Sequence, residues 1–213
     1  NMIFRPKDGT PWVARVGMTN QQYADEFTLR VGQGYRPLQV ESYMAGQAIR
    51  YAVIFVKQVG QAGPDWVTYH DKTDAQQAQL FNTLLGQGFI PRNISVVSVS
   101  GQRSYTTFYE KVPVTGLVTL WAMTAGQYQA QYDLNAGAGR KLVYLNAYQQ
   151  SGSPRFTAIW LSPVAGVSAA KHGLSDTQYQ DQWKHWTDLD YLTRCVTGYE
   201  LNDTAGFAAV WRK

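Results

Sequence analysis

Four pairs of a hydroxyl residue and a glutamine, each three positions apart, punctuate the chain: Thr19 with Gln22, Thr73 with Gln76, Thr124 with Gln127, and Ser175 with Gln178. Successive pairs are separated by 54, 51 and 51 positions. The same steps link Phe27, Phe81, Tyr132 and Trp183, then Tyr51, Tyr105, Phe156 and Phe207, and again Phe55, Tyr109, Trp160 and Trp211. A register held at several columns marks stacked supersecondary units, each too small to bury its apolar face alone. Ser/Thr-x-x-Gln is also a capping box: the hydroxyl accepts from an orphan helix amide, and the Gln side chain reaches back to the cap residue. Each pair therefore predicts a helix start, stabilised by roughly 1 kcal/mol.

Apolar residues follow each cap at helical spacing, as in Tyr23, Phe27 and Val31, in Tyr128 and Tyr132, or in Tyr179, Trp183 and Trp186. Gly34, Gly88 and Gly139 stand where a left-handed exit residue is needed, while the fourth copy has Asp190 there and is expected to end differently. Two stretches of period-two patterning come next. In the first, Leu38, Val40 and Ser42 share one face opposite Gln39, Glu41 and Tyr43, and the third copy sets Val143, Leu145 and Ala147 against Tyr144, Asn146 and Tyr148. In the second, Tyr51, Val53 and Phe55 oppose Ala52 and Ile54, so both faces are mostly apolar, and either an inner strand or a sheet curved so that its concave side is partly filled is expected. Ala45-Gly46, Ser100-Gly101, Ser151-Gly152 and Asn202-Asp203 supply the turns.

The fold class is α+β: four tandem helix–β-hairpin repeats of about 51–54 residues, with a curved antiparallel sheet and the helices on one face. The units span approximately 12–57, 66–111, 117–162 and 168–213, and 1–213 is expected to form a single repeat domain. "MIFRPKDGTPW" resembles "VIFVKQVGQAGPDW", so residues 1–11 read as the tail of a preceding unit. They would belong either to a longer array or to a short capping strand.

Composition narrows the function. Charged residues are only 16% of the chain, and the net charge of +4 comes from scattered Lys and Arg rather than a basic stripe, which speaks against nucleic acid. No apolar run approaches membrane-helix length, and "NMIFRPKDGT" lacks a signal-peptide layout. With Cys195 as the single cysteine, neither a disulfide framework nor a multi-cysteine metal site can form. No metal and no cofactor is expected. Sequons at Asn93 and Asn202, few Lys, and much Gln, Tyr, Trp, Gly and Thr point to a secreted protein with two glycosylation candidates.

Catalytic patterns are poor. Ser168-Ala169-Ala170-Lys171 and Tyr144-Leu145-Asn146 echo β-lactamase-type elements, but in the wrong order and without Lys-Thr-Gly. His70 and His172 occupy equivalent positions just before helices and suit packing, and His185 suits an exposed helix face. Glu41, Glu110 and Glu200 are candidate glycosidase carboxylates, but nothing in the sequence brings a second acid within range, and a solvated surface role is expected. Binding has more behind it. The polar faces of the first strands carry Tyr43, Tyr144, Tyr148 and Tyr199 beside Glu41, Asn146 and Thr197, and stacked repeats would align them for a peptide or a glycan. The same tyrosines would equally serve to pack one repeat on the next.

A family pattern also runs through these copies: Tyr23, Phe27, Gly34-Tyr35-Arg36-Pro37, Val40, Tyr43, Gly46 and Arg50-Tyr51-Ala52-Val53-Ile54-Phe55, closing as Arg155-Phe156-Thr157-Ala158-Ile159-Trp160 and Gly206-Phe207-Ala208-Ala209-Val210-Trp211 in later copies. It resembles the tandem-repeat domain of bacterial proteins and of the N-terminal region of fungal polyglycine hydrolases. The second copy matches least, losing the Arg before Tyr105. The resemblance implies a module of a secreted serine-type endopeptidase that cleaves glycine-rich linkers of plant chitinases, with catalysis in a separate β-lactamase-like domain of the parent chain. A non-catalytic scaffold or peptide-recognition module is thus expected. The alternatives are a self-contained serine hydrolase and a carbohydrate-binding module.

Overall fold

The computed structural model describes residues 3, 9–60, 63–201 and 204–213. Of the expected strand at Met2-Ile3-Phe4 only Ile3 is described, and the fourth turn at Asn202-Asp203 lies outside the described residues. Four repeats of strand, helix, strand and strand are present. The first is β1 (Trp12–Met18), α1 (Asn20–Gly32), β2 (Tyr35–Ala45) and β3 (Ala48–Lys57). The second is β4 (Trp66–Lys72), α2 (Asp74–Gly86), β5 (Phe89–Val99) and β6 (Gln102–Lys111). The third is β7 (Thr115–Met123), α3 (Ala125–Gly137), β8 (Lys141–Gln150) and β9 (Ser153–Ser162). The fourth is β10 (Ser168–Leu174), α4 (Asp176–Asp188), β11 (Leu192–Leu201) and β12 (Thr204–Arg212). Contacts gather them into two compact units, 5–113 and 114–213, each holding two repeats.

The local chemistry acts as its residue types dictate. Thr19, Thr73, Thr124 and Ser175 each accept from the amide three residues on, and each partner Gln side chain accepts from the cap amide, so all four capping boxes are closed. Gly34, Gly88 and Gly139 leave the helices with φ of 78°, 83° and 73°. Asp190 adopts the same left-handed conformation at 63°, so the fourth exit matches the others despite its side chain. Ser100-Gly101 and Ser151-Gly152 are two-residue turns with φ positive at both positions, whose twist matches that of the flanking strands. The first hairpin closes one residue later than expected, at Gly46-Gln47 between paired Ala45 and Ala48.

Each sheet has three antiparallel strands in the order first, third, second: β1-β3-β2, β4-β6-β5, β7-β9-β8 and β10-β12-β11. The strand expected to be inner is therefore the middle one, and Tyr51, Val53 and Phe55 are buried beneath α1. The sequence reading is refined in three places. The strands form four small sheets instead of one curved sheet. Each repeat gains a first strand, so Ser168 lies on β10. Finally, the register slips between Pro37 and Gln39, so Leu38 is 58% exposed while Val40 and Ser42 remain buried. Equivalent slips occur in β5, β8 and β11.

A second bulge interrupts the period of two in each first strand. Pairing breaks between Arg15 and Met18, Tyr69 and Lys72, Leu120 and Met123, and Lys171 and Leu174. Within each break one residue is left-handed: Gly17, Asp71, Ala122 and Gly173, with φ of 75°, 53°, 59° and 68°. A left-handed L-residue is strained by roughly 1–2 kcal/mol, against roughly 0.5–1 kcal/mol of extra entropy lost by glycine. Ala122→Gly is therefore expected to stabilise the fold by ~0.5 kcal/mol in chemical denaturation. Gly173→Ala, where an added Cβ meets nothing within 4 Å, should destabilise it by a similar amount through the backbone alone.

Candidate functional site

The candidate residues converge on the junctions between consecutive repeats. Strand β2 is an edge of its sheet, and its outward backbone groups would be unpaired if it stood alone. Side chains of β5 pair them. Asn93 Nδ2 donates to Val40 O at 2.5 Å, and Asn93 Oδ1 accepts from Val40 N at 3.4 Å. Ser95 Oγ accepts from Ser42 N at 3.0 Å and donates to Ser42 O at 3.1 Å. In the other unit β11 treats β8 the same way: Thr197 Oγ1 accepts from Ala147 N at 3.1 Å and donates to Ala147 O at 3.3 Å, while the buried Cys195 thiol donates to Leu145 O at 3.0 Å. Short polar side chains at two matching columns thus substitute for a neighbouring strand's backbone.

Charge and aromatic contacts complete each junction. Glu110 on β6 reaches back to Arg36 on β2 and also meets Arg92 Nε at 2.9 Å. Arg212 occupies the column of Glu110 and donates to Leu142 O at 3.2 Å. His70 sits edge-on to Tyr23 and Tyr51, at centroid distances of 5.1 and 5.6 Å. His172 does the same to Tyr128 and Phe156, at 5.0 and 5.3 Å, with its Nε2 3.1 Å from Gln129 Oε1. Burial, aided by Lys72 and Lys171 respectively, pushes both imidazoles below their ordinary value, against the pull of Asp71 on His70.

The seven binding candidates are placed unequally. Tyr144, Asn146, Tyr148 and Tyr199 are buried, each 8% exposed or less. Thr197 is spent on the Ala147 backbone. Tyr199 lies flat over Gly206, where an added Cβ would come within 2.7 Å of its ring. Glu41 is half-buried and accepts from Gln39 Nε2 at 2.9 Å, and Tyr43 is 39% exposed. Of the glycosylation candidates, Asn93 is 2% exposed with its amide in the junction, which leaves no room for a glycan in the folded chain; Asn202 lies outside the described residues.

The catalytic patterns fall apart sterically. Ser168 and Lys171 are three apart on a strand, where alternation sends side chains to opposite faces, whereas a Ser-x-x-Lys pair needs a helical turn. Tyr144 and Asn146 are buried on β8. His185 stands exposed on α4 with its ring edge-on to Trp186 at 4.8 Å. Among the described residues no three His, Cys, Asp or Glu side chains gather to hold a metal. Sequence reasoning missed Ser95 and Cys195. Their signal is faint: small polar residues at columns shared with Thr197 and Asn93.

Removing the Thr197 hydroxyl while keeping the side-chain volume leaves two backbone groups of Ala147 without this partner. Thr197→Val should lower unfolding free energy by about 1–3 kcal/mol in urea titration; unchanged stability would mean that the hydroxyl's bonds add nothing net to the junction. The histidines set a pH window. Because their folded-state values lie below that of the unfolded chain, about 6.5, their contribution is intact above that pH and declines as pH falls below it. Melting temperature should drop between pH 7 and 5, and His172→Phe should flatten part of that drop.

A search of curated proteins finds none that matches this chain. The sequence profile described as a polyglycine hydrolase-like structural repeat matches four times, over residues 9–58, 63–112, 115–162 and 167–213, each span holding one strand–helix–strand–strand repeat. The chain accordingly belongs to the family of polyglycine hydrolase-like structural repeats.

Proposed function

We propose that this chain is a non-catalytic repeat module that scaffolds, or recognises peptide for, a secreted hydrolase of the polyglycine hydrolase kind. The observation that carries the reading is the use made of polar side chains at the junctions. Asn93, Ser95, Cys195 and Thr197 are committed to the backbone of the preceding repeat. Hydroxyls and a thiol whose protons are given to carbonyls in a packed interface are poor nucleophiles, since a nucleophile needs its proton taken by a base and its lone pair open to substrate. Family membership supports the same conclusion, the matched unit being described as a structural repeat. No described helix is long and apolar enough to cross a membrane.

Peptide is the ligand class that a module of such a hydrolase would present to its catalytic partner domain, and glycan recognition is the alternative. Tyr43 with Glu41 remains the accessible part of the aromatic-and-carboxylate face in residues 5–113. A fluorophosphonate probe that labels activated serines generally tests the non-catalytic claim. No label above the heat-denatured control is expected, and stoichiometric labelling of any serine would replace the module with a self-contained hydrolase.

A further inference from the structure

The junction between the first two repeats and the junction between the last two are built to one plan but differ at one column. Strand β4 begins with Trp66, whose ring lies 6.5 Å from Phe27 on α1 and 6.5 Å from Phe108 on β6, so an indole closes that junction. Strand β10 begins with Ser168. The register is the same, Trp66 pairing with Glu110 and Ser168 with Arg212, while Tyr132 stands for Phe27 and His172 for His70. Exchange of an indole for a hydroxymethyl leaves room. A cleft of about 390 Å³ lies there, lined by Gln129, Tyr132, Ser168, Lys171, His172 and Trp186.

Its aromatic walls are held from behind. The Tyr132 ring is half-buried on α3. Trp186 donates from Nε1 to Gln182 Oε1 at 3.2 Å, stacks on Trp211 at 6.2 Å and meets Tyr191 at 4.9 Å. His172 is held between Tyr128, Phe156 and Gln129. Lys171 and Gln129 are exposed at the rim. Preset rings with a polar rim favour binding because little side-chain freedom remains to be lost.

We propose that this cleft binds an aromatic side chain of a peptide ligand, the incoming ring taking the place that Trp66 fills at the other junction. Tyr132 and Trp186 offer faces and edges for offset or edge-on contact, and the Gln129 amide and the Lys171 ammonium can donate to carbonyls of the flanking peptide. The assignment deepens the peptide-recognition reading and rests on it.

Titration of N-acetyl-tryptophanamide into the ¹⁵N-labelled chain tests it. Saturable amide shifts are expected at Gln129 and at Ala169 through His172. Ser168→Trp, which rebuilds the closed junction, should raise Kd at least about tenfold, a loss of about 1.4 kcal/mol, while melting no lower than the native chain. Should that variant fail to fold, Ser168→Leu, which fills the cleft with less bulk, is read the same way. Absence of saturable shifts at these amides, or undiminished binding by the filled variant, overturns the proposal. So does a response to methyl β-glucoside without one to the tryptophan amide, which would make the cleft a sugar site. Stoichiometric serine labelling overturns the module reading whatever the titration gives; a silent titration without labelling removes this cleft alone.

Discussion

An edge strand with unpaired backbone is the constraint on which both described junctions rest. A three-stranded sheet has two edges, and exposed N–H and C=O groups there invite pairing with any passing strand. Here the groups at Val40, Ser42, Leu145 and Ala147 are met by Asn93, Ser95, Cys195 and Thr197. Had β5 paired with β2 through its backbone, the sheets would merge, and the space over each helix would be lost. Side chains reach a few ångströms further than a ladder bond, so the sheets stay separate while the donors and acceptors are still satisfied. That offset lets the back of one sheet lie against the helix and core of the repeat before it, as Phe108 joins the cluster of Tyr23, Tyr51, Val53 and Phe55.

The same geometry accounts for the buried faces of β8. Tyr144 and Tyr148 alternate with Leu142, Leu145 and Ala147, and all are buried. Amphipathic patterning assigns one face of such a strand to water. In a stacked array, however, the second face meets another repeat, so an apparently polar face of tyrosines and amides becomes an interface. Tyrosine suits that place, because its ring contributes apolar area while its hydroxyl can still take part in a hydrogen bond.

The parts of the fold legible in the sequence are those whose causes are local. A capping box, a left-handed exit and a two-residue turn each depend on residues within four positions of one another, and Thr73-Gln76, Gly88 and Ser100-Gly101 all act as their types dictate. The middle strands were legible because burial on both faces leaves a continuous apolar run. The first strands were hidden, since the left-handed bulge at Gly17, Asp71, Ala122 or Gly173 breaks the period of two after only four residues. The junction bonds were hidden for another reason: Asn93 meets Val40 across 53 positions and Thr197 meets Ala147 across 50, and no local pattern encodes such a pairing.

Comparison of the copies separates what the architecture demands from what it tolerates. The bulge column accepts Gly, Asp or Ala but never leaves the left-handed conformation, and the cap column accepts only Ser or Thr. The junction columns vary far more, with Asn93 against Cys195, Glu110 against Arg212, and Trp66 against Ser168. Each replacement finds a different solution in the same backbone: Arg212 takes the Leu142 carbonyl where Glu110 takes a guanidinium. Backbone conformation is shared by every copy because the capping box and the left-handed bulge are set within each repeat. Side chains at the junctions need only satisfy one neighbour, so they can diverge copy by copy. Specificity in such an array would then arise where one copy ceases to fill its junction, as Ser168 does, and not from a dedicated loop.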